Sequence, residues 1–221
     1  MSTISLRSVV IFINGQYNDK DFYQRELTGS EFVIAVDGGA NFTDKVGITP
    51  DLLLGDMDSI YDEVYTKYQE QGVTIEEFPD EKDESDLELA LNKAITYRPD
   101  EIIILGGFGA RVDHLFANIM VLIKPIKHGI TTWLKDEIHK VTVIEKQISL
   151  QAQYGDYLSL FPLTPEVTNI TAQGLKYPLQ GETLYMGPSR GLSNEFIKQN
   201  VTVSIATGYL LAIVTNRYLS D

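Results

Sequence analysis

The chain has 221 residues, of which 43% are hydrophobic and 22% charged, so it can bury a sizeable core without disulfides or a structural metal. It contains no cysteine, which excludes disulfide frameworks, zinc–thiolate sites, iron–sulfur clusters and cysteine nucleophiles. Residues 146–221 hold five acidic and five basic side chains, so the net charge of −13 arises within residues 1–145. An acidic surface of this kind repels nucleic acid and anionic lipid, but it can bind a small polyphosphate through divalent cations.

No stretch of the sequence is typical of a targeting or membrane segment. The N-terminal apolar run Val9–Ile13 is too short for the core of a signal peptide, and no run approaches the length of a membrane span. We therefore expect a cytoplasmic protein that binds neither nucleic acid nor membranes.

The first two-thirds of the chain alternates β-rich runs with helical patterns. The predicted strands are Val9–Ile13, Phe32–Val36, Leu52–Leu54, Val73–Phe78, Glu101–Leu105 and Thr131–Leu134. Between them, apolar residues recur at helical spacing over residues 61–68, 87–95 and 115–123. The alternation predicts an α/β domain over residues 1–143, with a mainly parallel sheet and helices on both faces.

The rhythm changes after about residue 138, where short β-rich runs are separated by glycine and proline turn signals and no long helical stripe follows. The predicted strands are Lys140–Glu145, Tyr157–Phe161, Val167–Gln173, Glu182–Met186, Val201–Ala206 and Leu210–Thr215. This pattern predicts a smaller antiparallel all-β domain over residues 144–221.

Four acidic or glycine-rich segments each lie just beyond a predicted strand or open a predicted helix. They are Asp37-Gly38-Gly39-Ala40-Asn41, Gly55-Asp56-Met57-Asp58-Ser59, Lys82-Asp83-Glu84-Ser85-Asp86 and Gly106-Gly107-Phe108-Gly109-Ala110-Arg111-Val112-Asp113-His114. In open α/β sheets, ligands bind at the carboxyl edge of the strands. We therefore expect these segments to meet at one site.

The second segment points to a metal. In an extended chain, Asp56 and Asp58 project to the same side, and two adjacent carboxylates repel unless one is protonated or a cation lies between them. Magnesium typically takes one or two carboxylates together with substrate phosphates. The alternative interpretation is two solvated loop aspartates.

The other segments each have a functional and a structural interpretation. The glycines after Asp37 allow close approach of a ligand, although this aspartate also suits a helix cap. Asp83 and Asp86 share a helix face, but acids in a first helical turn are also typical of capping. Arg111 offers a fork-shaped phosphate donor in a glycine-rich loop, and Asp113 is a suitable helix cap beside it.

In order and spacing, the four segments resemble the successive motifs of the thiamine pyrophosphokinase family. Gly174–Leu179 and Leu192–Glu195 are also similar to that family's β-domain motifs, so the resemblance runs from about Val10 to Val214. It implies transfer of the pyrophosphoryl group of ATP to the hydroxyl of thiamine, giving thiamine diphosphate and AMP. It also implies Mg²⁺, an α/β N-terminal domain, a C-terminal β-sandwich and a homodimer.

The resemblance also implies a role for each matching residue. Asp56, Asp58, Asp83 and Asp86 would form the catalytic metal–phosphate site, Asp37, Asn41, Arg111 and Asp113 would bind the nucleotide, and Tyr177, Ser193 and Asn194 would bind thiamine in a pocket shared between subunits. This chemistry needs alignment and charge neutralisation rather than a protein nucleophile, and either Asp58 or Asp83 could accept the hydroxyl proton. The competing interpretations are a non-catalytic magnesium–nucleotide sensor and a metal-dependent phosphohydrolase.

Overall fold

The computed structural model describes residues 7–220, and the chain divides into two compact units, Met1–Asp136 and Glu137–Asp221. The first unit combines a sheet with helices, and the second is built almost entirely of strands. The prediction of an α/β domain followed by an all-β domain is therefore confirmed. The predicted limits 1–143 and 144–221 stay predictions.

Six parallel strands form the sheet of the first unit, in the order β6-β5-β1-β2-β3-β4. Their bounds are β1 Ser8–Phe12, β2 Ser30–Val36, β3 Leu52–Gly55, β4 Thr74–Glu77, β5 Glu101–Leu105 and β6 Thr131–Lys135. All the strands in this set run in one direction, so their carboxyl ends lie along a single edge. The strand order reverses beside β1, where a ligand crevice is expected in such sheets.

The first unit contains α1 Lys20–Glu26, α2 Gly39–Lys45, α3 Asp62–Glu70, α4 Asp86–Thr96, α5 Val112–Met120 and α6 Ile123–Ile126. Ser85 caps α4, since its hydroxyl accepts a hydrogen bond from the Glu88 N–H at 3.2 Å, as the capping pattern predicts. The apolar stripes did not predict α1, because its seven residues are too few to display a helical period. None of the helices among residues 7–220 has the length and hydropathy needed to cross a membrane.

The core of the first unit forms around β1, in which Val9–Phe12 are all buried. Phe12 belongs to a cluster with Tyr23 of α1, and the ring of Tyr17 stacks on Phe42 of α2 with centroids 3.8 Å apart. Each large apolar side chain buried in this way stabilises the fold by about 1.5–3 kcal/mol. The packing fixes α1 and α2 against the sheet and thereby places the loops at its carboxyl edge.

Two antiparallel sheets form the second unit, one in the order β12-β9-β14-β7 and the other in the order β11-β10-β13-β8. The elements are β7 His139–Ile144, β8 Gln147–Gln151, β9 Tyr157–Pro162, β10 Glu166–Ala172, β11 Leu179–Tyr185, β12 Asn194–Glu195, β13 Asn200–Ser204, β14 Leu210–Thr215 and the helix α7 Arg217–Ser220. Burial alternates along β13, where Val201 and Val203 point inward. The antiparallel prediction is confirmed; β8 was not predicted, because Gln147–Gln151 is mostly polar.

Candidate active site

A cavity of about 600 Å³ opens at the carboxyl ends of β1, β2, β3 and β5. Its walls are the loops after these strands and the first turns of α4 and α5. Predicted site residues that line it are Asp37, Asp56, Asp58, Asp86 and Arg111. The tertiary structure thus brings four of the predicted carboxylates and the predicted phosphate donor to one edge of the sheet, although they are spread over more than 70 residues of sequence.

Asp37 follows β2 and is almost fully buried, at 8% exposure. Its backbone is in the left-handed region, with φ of 45°, and its Oδ1 accepts a hydrogen bond from the Met57 N–H at 3.3 Å. Burial, followed by the charge of Asp86, raises the pKa of Asp37 to about 7. The Met57 N–H opposes this rise, and the charge of Asp56 adds to it. Asp37 is therefore a carboxyl group that readily holds a proton when no cation is near.

Asp86 opens α4, lines the cavity and lies between Asp37 and Lys82. Its charge acts on Asp37 and raises the pKa of that carboxyl group. On the other side, Lys82 Nζ lies 2.8 Å from Asp86 Oδ1, in ion-pair contact but outside hydrogen-bond alignment. Lys82 is a residue to which sequence reasoning assigned no role.

Asp56 and Asp58 are adjacent, but not for the reason that the sequence suggested. The chain between them is not extended, because Met57 has φ of 67° and the Asp58 N–H donates to Asp56 Oδ1 at 3.1 Å. This turn, rather than strand alternation, brings the carboxyl groups together. The pKa of Asp58 is raised, first by the hydrogen bond to Asp56 and then by its charge.

The carboxylates around the cavity fit magnesium. Within residues 7–220, no three acidic or histidine side chains are arranged to enclose a metal ion by themselves. Magnesium does not need such a cage, because it usually takes one or two carboxylates and completes its octahedron with water and substrate phosphates. In two pairs of carboxyl groups one member raises the pKa of the other: Asp86 acts on Asp37, and Asp56 acts on Asp58. Such pairs form a donor set that a divalent cation would stabilise. Asp83 is exposed and does not line the cavity.

Asn41 holds in place, through its amide, the loop that carries Asp56 and Asp58. Its Nδ2 donates to Ser59 O at 2.9 Å, and its Oδ1 accepts from the Tyr61 N–H at 3.0 Å. The Ser59 hydroxyl in turn accepts from the Gly38 N–H at 2.9 Å. These bonds tie the start of α2 to the loop that carries Asp56 and Asp58. Asn41 itself does not line the cavity.

The loops after β1 and β5 touch at the base of the cavity. A Cβ at Gly15 would overlap the Gly106 carbonyl oxygen, and a Cβ at Gly106 would overlap the Tyr17 hydroxyl. That hydroxyl donates to Ile13 O at 2.5 Å, and burial raises the pKa of Tyr17 far above its usual range. Asn14, Gly15 and Gln16 line the cavity, and sequence reasoning missed them. The sequence feature that could have indicated a loop of this kind is the Asn14-Gly15 pair directly after the predicted strand Val9–Ile13.

Arg111 lies at the mouth of the cavity, with its side chain 67% exposed. It forms a bidentate ion pair with Asp113, in which Nη2 is 2.5 Å from Oδ2 and Nε is 3.2 Å from Oδ1. This hydrogen bonding lowers the pKa of Asp113 to about 2. Asp113 does not line the cavity, so it orients the guanidinium from outside. His114 and Asn118 of α5 line the same wall.

The second unit has a cavity of about 180 Å³ that contains two of the three predicted thiamine residues, Tyr177 and Asn194. The Asn194 amide is engaged by the Tyr177 backbone, since Oδ1 accepts from the Tyr177 N–H at 3.0 Å and Nδ2 donates to its carbonyl at 2.7 Å. Asn194 therefore positions Tyr177. Ser193 does not line this cavity, and its N–H donates to the Ser159 hydroxyl at 3.1 Å.

An α/β unit with carboxylates, a glycine-rich loop and an arginine at the carboxyl edge of its sheet has the form of a metal–nucleotide site. Comparison with known proteins identifies the family. Residues 23–134 match the thiamin pyrophosphokinase catalytic domain, and residues 143–210 match the thiamin pyrophosphokinase vitamin B1 binding domain. The chain belongs to the thiamin pyrophosphokinase family.

Individual relatives agree with this assignment. The thiamine pyrophosphokinase of Bacillus subtilis is 33% identical over 191 residues, which cover 81% of this chain and 85% of the relative. Thiamine pyrophosphokinase 2 of Oryza sativa is 28% identical, over 82% of this chain and 77% of the relative. A crystal structure of the Bacillus subtilis protein superposes with a TM-score of 0.85 at 28% identity, over 95% of this chain and 99% of that one. A crystal structure of the thiamin pyrophosphokinase from Geobacillus thermodenitrificans superposes with a TM-score of 0.81 at 28% identity, over 95% of this chain and 97% of that one.

Proposed function

We propose that this protein transfers the pyrophosphoryl group of ATP to the hydroxyl of thiamine, giving thiamine diphosphate and AMP. The observation that carries this proposal is the cavity at the sheet edge, where Asp37, Asp56, Asp58 and Asp86 face the glycine-rich loop and Arg111. This cavity lies within the unit that matches the family's catalytic domain. Its volume of about 600 Å³ is within the range of small-molecule sites.

Asp56, Asp58 and Asp86 are the residues that we propose hold magnesium, which would neutralise phosphate charge while the bond at the β-phosphorus is exchanged. The buried Asp37 stabilises the loop that carries Asp56 and Asp58, because its carboxyl group accepts a hydrogen bond from the Met57 N–H. Asp83 was assigned to this set by the resemblance and stays a proposal, although it is exposed here. Arg111 binds the nucleotide phosphates, and Asp113 holds its guanidinium ready for them. Asn41 keeps the loop that carries Asp56 and Asp58 in register.

In the reaction, the thiamine hydroxyl oxygen attacks the β-phosphorus, the bond from that phosphorus to the oxygen of AMP breaks, and AMP leaves with the electron pair. The hydroxyl proton needs an acceptor. Asp58 is the better of the two candidates, because it lines the cavity, whereas Asp83 does not. The protein therefore aligns the groups, balances their charges and accepts one proton.

The cavity of the second unit supports a thiamine site that is completed by a second copy of the chain. Its volume of about 180 Å³ is below the ~300–1,000 Å³ that usually encloses a small molecule. Tyr177 is 63% exposed there, so its ring is available to pack against a thiamine ring. We propose that Tyr177, Ser193 and Asn194 belong to this pocket and that residues 144–221 form the interface of a homodimer.

Several finer features of the fold and its setting belong to the same proposal. They are a β-sandwich over residues 144–221, helices on both faces of the parallel sheet, and a cytoplasmic location. Coverage of both faces is supported by β1, because Val10 and Phe12 pack against α1 while Val9 and Ile11, which point the opposite way, are equally buried.

The identity of the transferred group tests this function. ATP labelled at both its β and γ phosphates should pass both labels to thiamine and leave unlabelled AMP. Thiamine monophosphate with ADP would mean that a single phosphoryl group is transferred. Release of labelled phosphate without thiamine would indicate a phosphohydrolase. Either result would refute the proposed reaction.

A further inference from the structure

Lys82 places a positive charge next to Asp86, a residue of the acidic cavity wall, from the segment that leads to α4. Its Nζ lies 2.8 Å from Asp86 Oδ1 and donates to the Pro79 carbonyl oxygen at 3.0 Å. The side chain is 13% exposed, so the ammonium is largely shielded from water. A shielded ammonium that costs desolvation is retained only where charges or acceptors offset that cost.

The charges that offset this cost are the carboxylates of the proposed metal site. Burial lowers the pKa of Lys82, but Asp86, Asp56 and Asp37 together raise it more, so that the ammonium stays charged. The ammonium donates one hydrogen bond, to the Pro79 carbonyl oxygen, and is in ion-pair contact with Asp86. Lys82 is therefore the counter-charge of the nearby carboxylates, and its contacts with Pro79 and Asp86 also hold residues 79–86 in position.

We propose that Lys82 occupies Asp86 in the metal-free protein as a stand-in for the divalent cation, and so competes with the metal for this carboxylate. This inference rests on the proposed function, because it assumes that Asp86 is a metal ligand. In the metal-free protein, the Lys82 ammonium offsets the repulsion among the carboxyl groups of Asp37, Asp56 and Asp86 and so stabilises this region of the fold. A divalent cation must then displace the ammonium from Asp86 before it can bind there.

Competition makes a prediction opposite in sign to that of a purely structural role. If Lys82 only supported the loop, its removal would weaken metal binding, because the ligands would lose their positions. If Lys82 competes for Asp86, its removal should strengthen binding of the metal alone, because a nearby positive charge has been deleted. For two positive charges a few ångströms apart, Coulomb's law gives a change of roughly tenfold in the dissociation constant of the metal.

The test is titration of Mn²⁺ alone, without nucleotide, followed by electron paramagnetic resonance. Lys82→Met should bind Mn²⁺ roughly tenfold more tightly than the wild-type protein. Lys82→Arg, which keeps the charge, should bind as the wild type does. Lys67→Met is the matched control, because Lys67 of α3 also pairs with an aspartate, Asp44 of α2. This variant should leave the affinity for Mn²⁺ unchanged. Unchanged or weaker binding by Lys82→Met would overturn the inference.

A fourth variant separates this inference from the metal site itself. Asp86→Asn should lose most Mn²⁺ affinity. If it binds as the wild type does, the assignment of Asp86 as a metal ligand is wrong and the inference is refuted with it. If Asp86→Asn loses binding but Lys82→Met gains none, the metal site stands and only the role of Lys82 is refuted.

A measurement on the wild-type protein avoids dependence on the folding of Lys82→Met. Acetylation of individual lysines by acetic anhydride, read out by mass spectrometry, reports how strongly each ammonium is held. Mg²⁺ should raise the acetylation rate of Lys82 several-fold, because it takes Asp86 from the ammonium, and should leave that of Lys67 unchanged. An unchanged rate at Lys82 in saturating Mg²⁺ would refute the competition.

Discussion

Gly55 and Asp37 are packed so closely that a Cβ at Gly55 would overlap Oδ1 of Asp37. Gly55 ends β3 with φ of 145°, a conformation that residues with a side chain rarely adopt. The absence of a side chain at the end of one strand thus makes room for the carboxyl group that follows the neighbouring strand. This relationship links the backbone of β3 to the position of an acidic residue in the cavity.

We expect Gly55→Ala to destabilise the protein by about 3 kcal/mol or more, since it combines backbone strain with overlap. Gly72→Ala is the baseline, because Gly72 also has positive φ, at 76°, but has nothing within 4 Å of the added Cβ. It should cost about 1 kcal/mol. Urea unfolding of both variants provides the comparison. If the two variants lose the same stability, the overlap with Asp37 does not matter.

The stability of the metal-free protein should depend on pH through Asp37. Its pKa is about 7 in the folded protein and 3.8 in the reference state, so the folded protein binds more protons than the unfolded chain in this range. The contribution of Asp37 to the free energy of unfolding therefore falls as the pH rises from about 4 to about 7. Asp37→Asn stays neutral and tolerates positive φ, so it should remove this contribution.

The measurement is thermal unfolding of both proteins in EDTA at about pH 5 and about pH 8. From the lower to the higher pH, the Tm of Asp37→Asn should fall less than the Tm of the wild-type protein. Equal losses would mean that Asp37 titrates with an ordinary pKa and that its surroundings impose no repulsion.

Asp58→Asn keeps the shape of the side chain and removes its charge. We expect turnover of thiamine to fall about a hundredfold or more, as for a lost electrostatic contribution at a reacting phosphate, while the protein stays folded. Asp58 is exposed, so its replacement should cost little stability. Glu70→Gln, an exposed charge deletion at the end of α3, is the control and should keep full activity. Near-normal turnover by folded Asp58→Asn would refute its role at the metal site.

A pocket shared between two copies of the chain predicts complementation. Asp58→Asn and Tyr177→Ala should each be inactive alone, but a mixed dimer contains one site with both residues intact. With complete subunit exchange, about a quarter of the wild-type activity should return. Exchange is verified by mass spectrometry of differently tagged subunits. If mixed dimers form and activity stays absent, the shared pocket is excluded.

Much of the site could be predicted from the order of residues, because its chemistry depends on residue types that stand directly after strands. Alternating β-rich and helical patterns predicted the parallel sheet, and the carboxyl ends of parallel strands share one edge. Asp37, Asp56, Asp86 and Arg111 were therefore expected to meet, and they do. Such prediction works because strand order and direction constrain where the ends of strands lie.

Only the tertiary structure decided which polar groups face the cavity and which hold it together. Asn41 was expected at the ligand, but its amide is used by the backbone of Ser59 and Tyr61. Lys82 stands in one of the four quoted segments but was given no role there, and the role proposed for it depends on a 2.8 Å contact with Asp86. The sequence determines which charges are present and on which segments they stand. Folding decides which of them come within a few ångströms of one another, and electrostatic interactions depend most strongly on that distance.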